Sequence, residues 1–253
     1  MATIGMVAAM PQESEALLQR VGGWKRLALG TFQGYHFQLS GWDCLLVQSG
    51  IGFKRASDAT RTLLAATNPQ LLVSFGIAGA VNDDLQIGDV VVADHTCLLE
   101  NGIPGQFQPL AHISDTAWRA VAEALQLRGA RLLSGTAITT RGSQAVQLQG
   151  KDVANPVLEM ETYGIAQVAA EKGIPLLSIR SISDGPQSPI PFDLDVMMDG
   201  QYNFRVGKIL TAIIHQPRIL LQSRQLMQNS RQAADHAAIA LLAALDQPSP
   251  IAV

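Results

Sequence analysis

The chain has 253 residues, of which 47% are hydrophobic and 15% charged, and its formal net charge is −3. A chain of this length and composition buries enough apolar surface to fold without a metal or a disulfide, which excludes the disordered and fibrous classes. The 18 basic and 21 acidic residues form no block of like charge, so the sequence predicts no nucleic-acid partner.

The cysteines and the N-terminal segment predict the compartment. Cys44 and Cys97 each lie in an apolar run that is typical of a strand, where a thiol behaves as a small buried hydrophobic group. The first ten residues carry no basic flank and are followed by Pro11 and the acidic Glu13, so the apolar segment is too short and too acidic for a secretory signal. No apolar run reaches the roughly 18 residues that a membrane span needs. We therefore expect a soluble, cytoplasmic protein.

The first half of the chain predicts strands and hairpins around two helices. Residues 4–9 form an apolar run that predicts a strand, and a helix is expected after Pro11. Glycines punctuate residues 27–48 at the spacing of antiparallel hairpins, and residues 56–66 predict a helix. A buried strand over 71–75 ends at a glycine-rich segment, and residues 87–99 form a β-rich segment.

Helices and strands alternate in the second half. After a polar loop near residues 100–108, the pattern predicts a helix over 114–127 capped by Ser114, a strand over 131–139, a helix over 162–172 and a strand over 175–183. The remainder is helical with a break near Pro217. We expect one α/β domain over residues 1–246, a three-layer fold with a central mixed β-sheet flanked by helices, and a frayed tail over 247–253.

Polar or glycine-rich residues follow five of the predicted strands. These segments are residues 9–13, 49–52, 76–79, 159–161 and 180–184. In open α/β sheets, ligands bind where strands end and loops lead into helices. The sequence therefore predicts the functional site at this edge of the sheet.

The charged residues in these segments have two interpretations on pattern alone. Arg180 and Asp184 follow a buried strand, where they are either a positioning arginine and a pocket acid or a structural pair. Glu159 and Glu161 share a face if the segment is extended, and at least one of them is expected to favour the N-terminus of the next helix. Glu13 lies in a first helical turn, where acids are common for the same reason.

Several site classes are excluded by their motifs. The glycine segments match neither the P-loop nor the dinucleotide fingerprint, and no serine-hydrolase elbow occurs. The five histidines are scattered without metal-ligand spacing. We expect no metal and no cofactor.

The five segments together resemble a known family. Read as A-A-M-P-Q-E, S-G-I-G, F-G-I-A-G, L-E-M-E-T and S-I-R-S-I-S-D, they are similar in sequence order to the purine nucleoside phosphorylase superfamily, and within it to the methylthioadenosine/S-adenosylhomocysteine nucleosidases. The resemblance runs from residue 4 to about residue 192. It implies a mixed sheet surrounded by helices, a nucleoside substrate and a homodimer.

The resemblance implies a role for each matching residue at the leaving base and the sugar. Asp184 matches the acid that donates a proton to N7 of the purine, and Ser183 orients it. Glu161 matches the carboxylate that accepts hydrogen bonds from the ribose hydroxyls, and Met160 packs against the sugar. Gly79 belongs to the same substrate-binding set.

The attacking side is implied in the same way. Glu13 matches the carboxylate that orients and deprotonates the attacking water, with Arg180 nearby. Where the nucleosidases keep a serine after the glycine, this chain has Ile77, which offers an anion no donor and favours hydrolysis over phosphorolysis. Arg55 is either a substitute phosphate ligand or a solvated arginine at a helix start.

The base and 5′ pockets depart from the family pattern. Ile138 stands where the family stacks a phenylalanine on adenine, and the loop over residues 100–112 is shorter than the one that closes over substrate. Phe192 is either a lid residue on the 5′ side or a core anchor. Beyond it, residues 197–200 and the helices around Pro217 look more like the hopanoid-associated branch, which removes adenine from a 5′-hopanyl adenosine. The apolar residues there then lie near a membrane surface, or pack in the core or between subunits: Ile209, Leu210, Ile213 and Ile214.

Three functions follow as hypotheses. The first is a nucleoside N-ribosyl hydrolase that releases adenine from a 5′-substituted adenosine. The second is a hopanoid-associated nucleosidase or phosphorylase. The third is a non-catalytic nucleoside-binding or storage protein on the same scaffold. The acidic residues of the site argue against it, because a storage protein has no use for a buried acid that faces a base.

Overall fold

The strands form one mixed sheet with helices on both faces. The structure, a computed structural model, describes residues 2–141, 148, 153–186 and 218–252, with the backbone alone at 218–223. The strands are β1 (Thr3–Ala8), β2 (Lys25–Leu29), β3 (Phe32–Leu39), β4 (Trp42–Gln48), β5 (Leu71–Ala80), β6 (Val90–Glu100), β7 (Ile103–Pro104), β8 (Gln108–Pro109), β9 (Leu132–Thr139), β10 (Pro156–Glu159) and β11 (Leu176–Asp184). The helices are α1 (Pro11–Leu18), α2 (Phe53–Ala66), α3 (Asp115–Gln126), α4 (Thr162–Lys172) and α5 (Arg218–Leu245).

Local signals explain where three helices begin and end. Pro11 opens α1, where its missing N–H costs nothing. The Ser114 hydroxyl accepts a hydrogen bond from the backbone N–H of Ala117 at 3.3 Å, which caps α3. Gly173 ends α4 with a φ of 64°, a conformation that glycine adopts without a Cβ clash. The predicted starts of α1 and α3 are confirmed.

The sheet brings parallel strand ends to one edge. Its order is β10-β9-β6-β11-β5-β1-β4-β3-β2, with β7 and β8 pairing with β6. Neighbours in the run β4, β1, β5 and β11 are parallel, whereas β2, β3 and β4 form the predicted antiparallel hairpins. Strand β10 pairs with β9 on one side and with β5 on the other, so β5, β6, β9, β10 and β11 close into a ring. The ring places the end of β10 beside the last residues of β5.

The core lies on both faces of the sheet. Met6 packs in one apolar cluster with Leu17 of α1 and Leu241 of α5, whereas its neighbour Val7 packs in a second cluster with Leu63 of α2. Successive strand residues point to opposite faces, so each helix layer receives every second side chain. The predicted three-layer α/β fold is confirmed.

Two segments carry more β structure than the sequence predicts. Strand β5 continues through the glycine-rich segment to Ala80, because its backbone keeps pairing with β11 and then with β10. The loop expected near residues 100–108 includes β7 and β8, which fold back on β6. A glycine-rich or polar sequence weakens strand propensity, but partners on both sides outweigh it.

The expected frayed tail differs from what is observed up to residue 252. The backbone N–H of Ser114 donates to the Pro250 carbonyl at 3.1 Å, and that of Ala252 donates to the His112 carbonyl at 2.9 Å. Ile251 forms an antiparallel bridge with Ile113. These bonds satisfy backbone groups that would otherwise need water, so the segment is held against the entry to α3.

Candidate active site

Hydrogen bonds tie the five polar strand ends into one cluster. The backbone N–H of Gly50 donates to the Ala9 carbonyl at 3.0 Å, which joins the ends of β1 and β4. The N–H of Gly52 reaches a Glu161 oxygen at 2.9 Å, which joins the start of α2 to the end of β10. The sequence prediction that these segments meet at one edge is confirmed.

Glu13 binds the segment before α1 with one carboxylate oxygen and β5 with the other. Oε2 accepts from the backbone N–H groups of Ala9 and Met10, each at 2.8 Å, and Oε1 accepts from the N–H of Ile77 at 3.0 Å. The residue is 1% exposed, and this burial raises the pKa of Glu13, against the lowering effects of Arg180 and the three backbone donors. Glu13 is therefore a buried carboxyl group with a raised proton affinity.

Arg180 is buried and held from one side. Its Nη2 donates to the hydroxyls of Ser74 at 2.6 Å and Thr162 at 2.8 Å, and to Glu159 Oε2 at 2.9 Å. Its Nη1 lies less than 3 Å from the position that a Cβ on Gly76 would take, as does the Oε1 of Glu13. One amino group is therefore anchored, while the other lies on the same side of Gly76 as the Glu13 carboxylate.

The two glutamates after β10 have different surroundings. Glu159 Oε2 accepts from the backbone N–H groups of Glu161 at 3.0 Å and Thr162 at 2.7 Å, so Glu159 is the one that serves the start of α4. Glu161 accepts from Gly52, and the described residues offer its carboxylate no other hydrogen-bond donor. Burial, followed by the charge of Glu159, raises the pKa of Glu161 to about 8.

Asp184 ends β11 opposite Gly79. Its Oδ1 accepts from the Ser183 hydroxyl at 2.6 Å, and its Oδ2 lies 2.7 Å from the position of a Cβ on Gly79, so a side chain at residue 79 would displace the Asp184 carboxyl group. Burial raises the pKa of Asp184, and the Ser183 hydrogen bond opposes that rise. Ser183, Asp184 and Gly79 therefore form one unit at the end of β5 and β11.

The remaining predicted site residues have varied positions. Met160 is half-buried between the two glutamates, and Ile77 is half-buried after Gly76. Ile138 is fully buried in an apolar cluster with Cys97 and Leu99, so its proposed contact with adenine stays a prediction. Phe192 lies outside the described residues, as does most of the segment that resembles the hopanoid-associated branch.

Sequence reasoning did not find the polar groups behind Arg180 or the true setting of Arg55. A hydroxyl at Ser74, in the middle of a buried strand, is the signal that points to a polar partner. Arg55 is half-buried over Gly50 and donates to the Ser49 carbonyl at 3.1 Å, so it is not a freely solvated arginine.

No helix in the described part of the chain is long and apolar enough to cross a membrane. Within the same part of the chain, no three His, Cys, Asp or Glu side chains come together as metal ligands.

Comparisons with known proteins agree with the resemblance seen in the motifs. The family model described as the phosphorylase superfamily matches residues 3–215. A 5′-methylthioadenosine/S-adenosylhomocysteine nucleosidase of Tolumonas auensis is 32% identical over 207 residues, covering 75% of this chain and 90% of that protein. A protein of the same description from Haemophilus influenzae is 29% identical over 196 residues, covering 72% and 86%.

Solved structures share the fold. The nucleosidase of the same description from Colwellia psychrerythraea, in complex with adenine, has a TM-score of 0.73 and 21% identity, covering 100% of this chain and 98% of that one. The futalosine hydrolase of Helicobacter pylori has a TM-score of 0.67 and 18% identity, covering 96% of each chain. Together with the matched family model and the nucleosidase relatives, the arrangement at the strand ends establishes that this chain belongs to the phosphorylase superfamily.

Proposed function

We propose that the protein is a nucleoside N-ribosyl hydrolase that releases adenine from a 5′-substituted adenosine of the methylthioadenosine or S-adenosylhomocysteine type. The observation that carries the proposal is the hydrogen-bonded pair of buried Ser183 and half-buried Asp184, at the same strand edge as the buried carboxyl groups of Glu13 and Glu161. Hydrolysis of a glycosidic bond needs an acid at the leaving group and a carboxylate for water, and the site supplies groups of both kinds. The names of the nucleosidase relatives support the same substrate class.

Asp184 acts as the acid. As the bond between the sugar carbon and the base nitrogen breaks, its electron pair moves to the purine, and Asp184 donates a proton to N7 so that adenine leaves as a neutral molecule. Burial raises the pKa of Asp184, which keeps the proton available at higher pH than a free aspartate could. Ser183 holds the other carboxylate oxygen and thereby fixes the direction of the acid.

Glu161 binds the sugar. Its carboxylate has one backbone donor among the described residues, which leaves acceptor capacity for the hydroxyls of a ribose. Hydrogen bonds from those hydroxyls favour the charged form, so binding lowers the raised pKa of Glu161 and releases a proton at neutral pH. Met160, half-buried beside it, supplies the apolar contact to the ring.

Glu13 activates water. The ribosyl centre left by the base is electron-poor, and water attacks it while Glu13 accepts one water proton. The raised pKa of Glu13 makes this carboxylate a better base than a free glutamate. Arg180 Nη1, on the same side of Gly76, stabilises the carboxylate without neutralising it through a close ion pair.

Water is favoured over phosphate as the acceptor. The side chain after Gly76 is Ile77, which has no donor for an anion, and its backbone N–H is already bound to Glu13. Arg55 donates to the Ser49 carbonyl and packs over Gly50, a setting that serves the loop. A phosphorylase would need hydrogen-bond donors for phosphate at this edge other than the backbone N–H of Ile77 and the side chain of Arg55.

The protein is further proposed to form a homodimer and to act in the cytoplasm, as the family resemblance and the sequence indicate. Light scattering on the purified chain tests the first proposal, because a monomeric mass contradicts it. Fractionation of cells that express the protein tests the second, since recovery with membranes or outside the cell contradicts it.

The first experiment is a base-release assay with and without phosphate. The purified protein is incubated with methylthioadenosine, S-adenosylhomocysteine, inosine and a long-chain 5′-alkyl adenosine, and free base is followed by chromatography. We expect phosphate-independent release of adenine from the first two. Preference for the long-chain substrate would favour the hopanoid-associated branch, phosphate dependence would make the enzyme a phosphorylase, and binding without release from any substrate would favour the storage function.

The acid and the base are tested by isosteric variants. Asp184→Asn and Glu13→Gln are each expected to lower kcat by about 10²- to 10⁴-fold, the range for loss of general acid or base catalysis. Asp235→Asn is the control, because this aspartate is 48% exposed in a surface pair with Arg20. Base release by Asp184→Asn at the wild-type rate would contradict the proposed acid.

A further inference from the structure

The site contains one buried arginine among several carboxyl groups. Glu13, Glu159 and Glu161 are all buried, and Asp184 lies at the same strand ends. Among the described residues, the ion-pair partner of Arg180 is Glu159, at 2.9 Å, and both side chains are at most 2% exposed. Neither Glu13 nor Glu161 forms an ion pair within this part of the chain. The guanidinium of Arg180 is therefore paired with Glu159, the carboxylate in this set for which no role with substrate is predicted.

The Glu159 carboxylate is fully occupied by the protein. Its Oε1 accepts from the Thr139 hydroxyl. Its Oε2 accepts from the N–H groups of Glu161 and Thr162, from the Thr162 hydroxyl at 2.8 Å and from Arg180. A carboxylate has about four acceptor positions, so these donors leave none for a ligand. Any effect of Glu159 on the reaction must therefore be indirect, through the residues that it binds.

We propose that Glu159 is a positioning residue of the reaction proposed above: it holds one amino group of Arg180 and so directs the other toward Glu13, and it keeps Arg180 from pairing with Glu161. The inference rests on the proposed function for its kinetic consequence, whereas its electrostatic consequence is a property of the free protein. Thr162 and Ser74 complete the grip on the same amino group, at 2.8 and 2.6 Å.

The electrostatic consequence follows from the charges around Glu161. Glu13 of α1, Glu159 of β10 and Arg180 of β11 act on its carboxyl group, and Arg55 of α2 lies over the neighbouring Gly50. Glu159 raises the pKa of Glu161, and Arg180 lowers it. Removing the Glu159 charge takes away the first effect and frees Arg180 to strengthen the second, so both changes lower the pKa of Glu161.

The kinetic consequence differs between binding and turnover. Without Glu159, Glu161 is more fully ionised at neutral pH and accepts ribose hydroxyls at least as well, so KM does not rise. Arg180 loses its anionic anchor, so its Nη1 is no longer held on the side of Gly76 where the Glu13 carboxylate lies. A displaced group in an active site costs rate even when binding persists. The expected signature is a lower kcat at an unchanged or lower KM.

Glu159→Gln tests the proposal, with Glu171→Gln as the matched control. Glu171 lies on α4 and pairs with Arg61 on the surface, where the two side chains are 50% and 51% exposed, so the control removes the same charge from an ion pair outside the site. Two experiments are made: kcat and KM for methylthioadenosine are measured between about pH 5 and pH 9, and the Glu161 carboxyl carbon is titrated by NMR in the free protein. The NMR signal is assigned by its absence in Glu161→Gln.

In Glu159→Gln we expect kcat to fall by roughly tenfold or more without a rise in KM. We expect the Glu161 titration to move to lower pH by about one unit or more. We expect Glu171→Gln to change neither the kinetic constants nor the Glu161 titration. If Glu159 served only the fold, the variant would lose thermal stability while the folded enzyme kept the kcat and the pH profile of the wild type, and the proposal would be overturned.

Two further outcomes are separated by design. If the wild type releases no base, the proposed function fails, and the NMR titration still decides whether Glu159 controls Glu161. If Glu159→Gln does not fold, Glu159→Asp keeps the charge and withdraws it by one methylene. For that variant we expect a Glu161 titration near that of the wild type with a lowered kcat, and a wild-type kcat would overturn the positioning role.

Discussion

Replacing Glu161 by glutamine removes a buried acid whose ionisation opposes folding. In the folded protein the pKa of Glu161 is raised from 4.5 to about 8, mainly by burial. At a pH between these two pKa values, Glu161 is ionised in the unfolded chain and protonated in the folded chain. Unfolding therefore releases a proton, and the free energy of unfolding falls as pH rises. The stabilising contribution is complete below pH 4.5 and is lost as pH rises through the folded value.

The size of this effect follows from the proton count. One proton released on unfolding changes the free energy of unfolding by about 1.4 kcal/mol for each pH unit. From about pH 5.5 to about pH 7.5, the Glu161 contribution amounts to roughly 2 to 3 kcal/mol. Solvent screening reduces it little, because Glu161 is 8% exposed. Glutamine cannot ionise, and its amide oxygen can still accept from the N–H of Gly52.

The assay is urea unfolding of the wild type and Glu161→Gln at both pH values, with Glu171→Gln as an exposed control. Glu13 and Asp184, whose pKa values are also raised, are present in every protein, so the difference between wild type and variant isolates Glu161. We expect Glu161→Gln to gain stability relative to the wild type as pH rises. An equal loss of stability in both proteins over this range would refute the reasoning.

Four further substitutions, one of them a control, have distinct expected outcomes. Gly76→Ala places a Cβ less than 3 Å from the buried carboxylate and guanidinium beside it, so we expect kcat to fall by about a hundredfold in the base-release assay, and an unchanged kcat would contradict the described geometry. Ser183→Ala removes a hydrogen bond that lowers the pKa of Asp184, so the alkaline limb of the kcat profile moves to higher pH; a shift to lower pH would be inconsistent with an acid role. Gly164→Ala drives a Cβ into the backbone of α2 and is expected to cost about 1–3 kcal/mol in urea unfolding, whereas Gly22→Ala, with open space around it, changes stability by less than about 0.5 kcal/mol.

The local elements and the segments of the site could be predicted from the sequence. Apolar periodicity, the proline before Glu13 and the serine before α3 are short-range signals, and each acts within a few residues of the element that it starts. The parallel strands then bring their polar ends to one edge, so the neighbourhood of Glu13, Arg180 and Asp184 follows once the strands are identified. The order of the five segments was enough to indicate the family.

Only the tertiary structure decided which partner each charge takes. Glu159 and Glu161 stand two residues apart with similar neighbours in sequence, yet one binds Arg180, 21 residues away, and the other binds Gly52, 109 residues away. The closure of β10 onto β5 and the pairing of the tail with Ile113 are decided in the same way. Such contacts depend on where distant strands place their backbone donors and on how far each charged group is removed from water. Neither property can be deduced from a local pattern of residues.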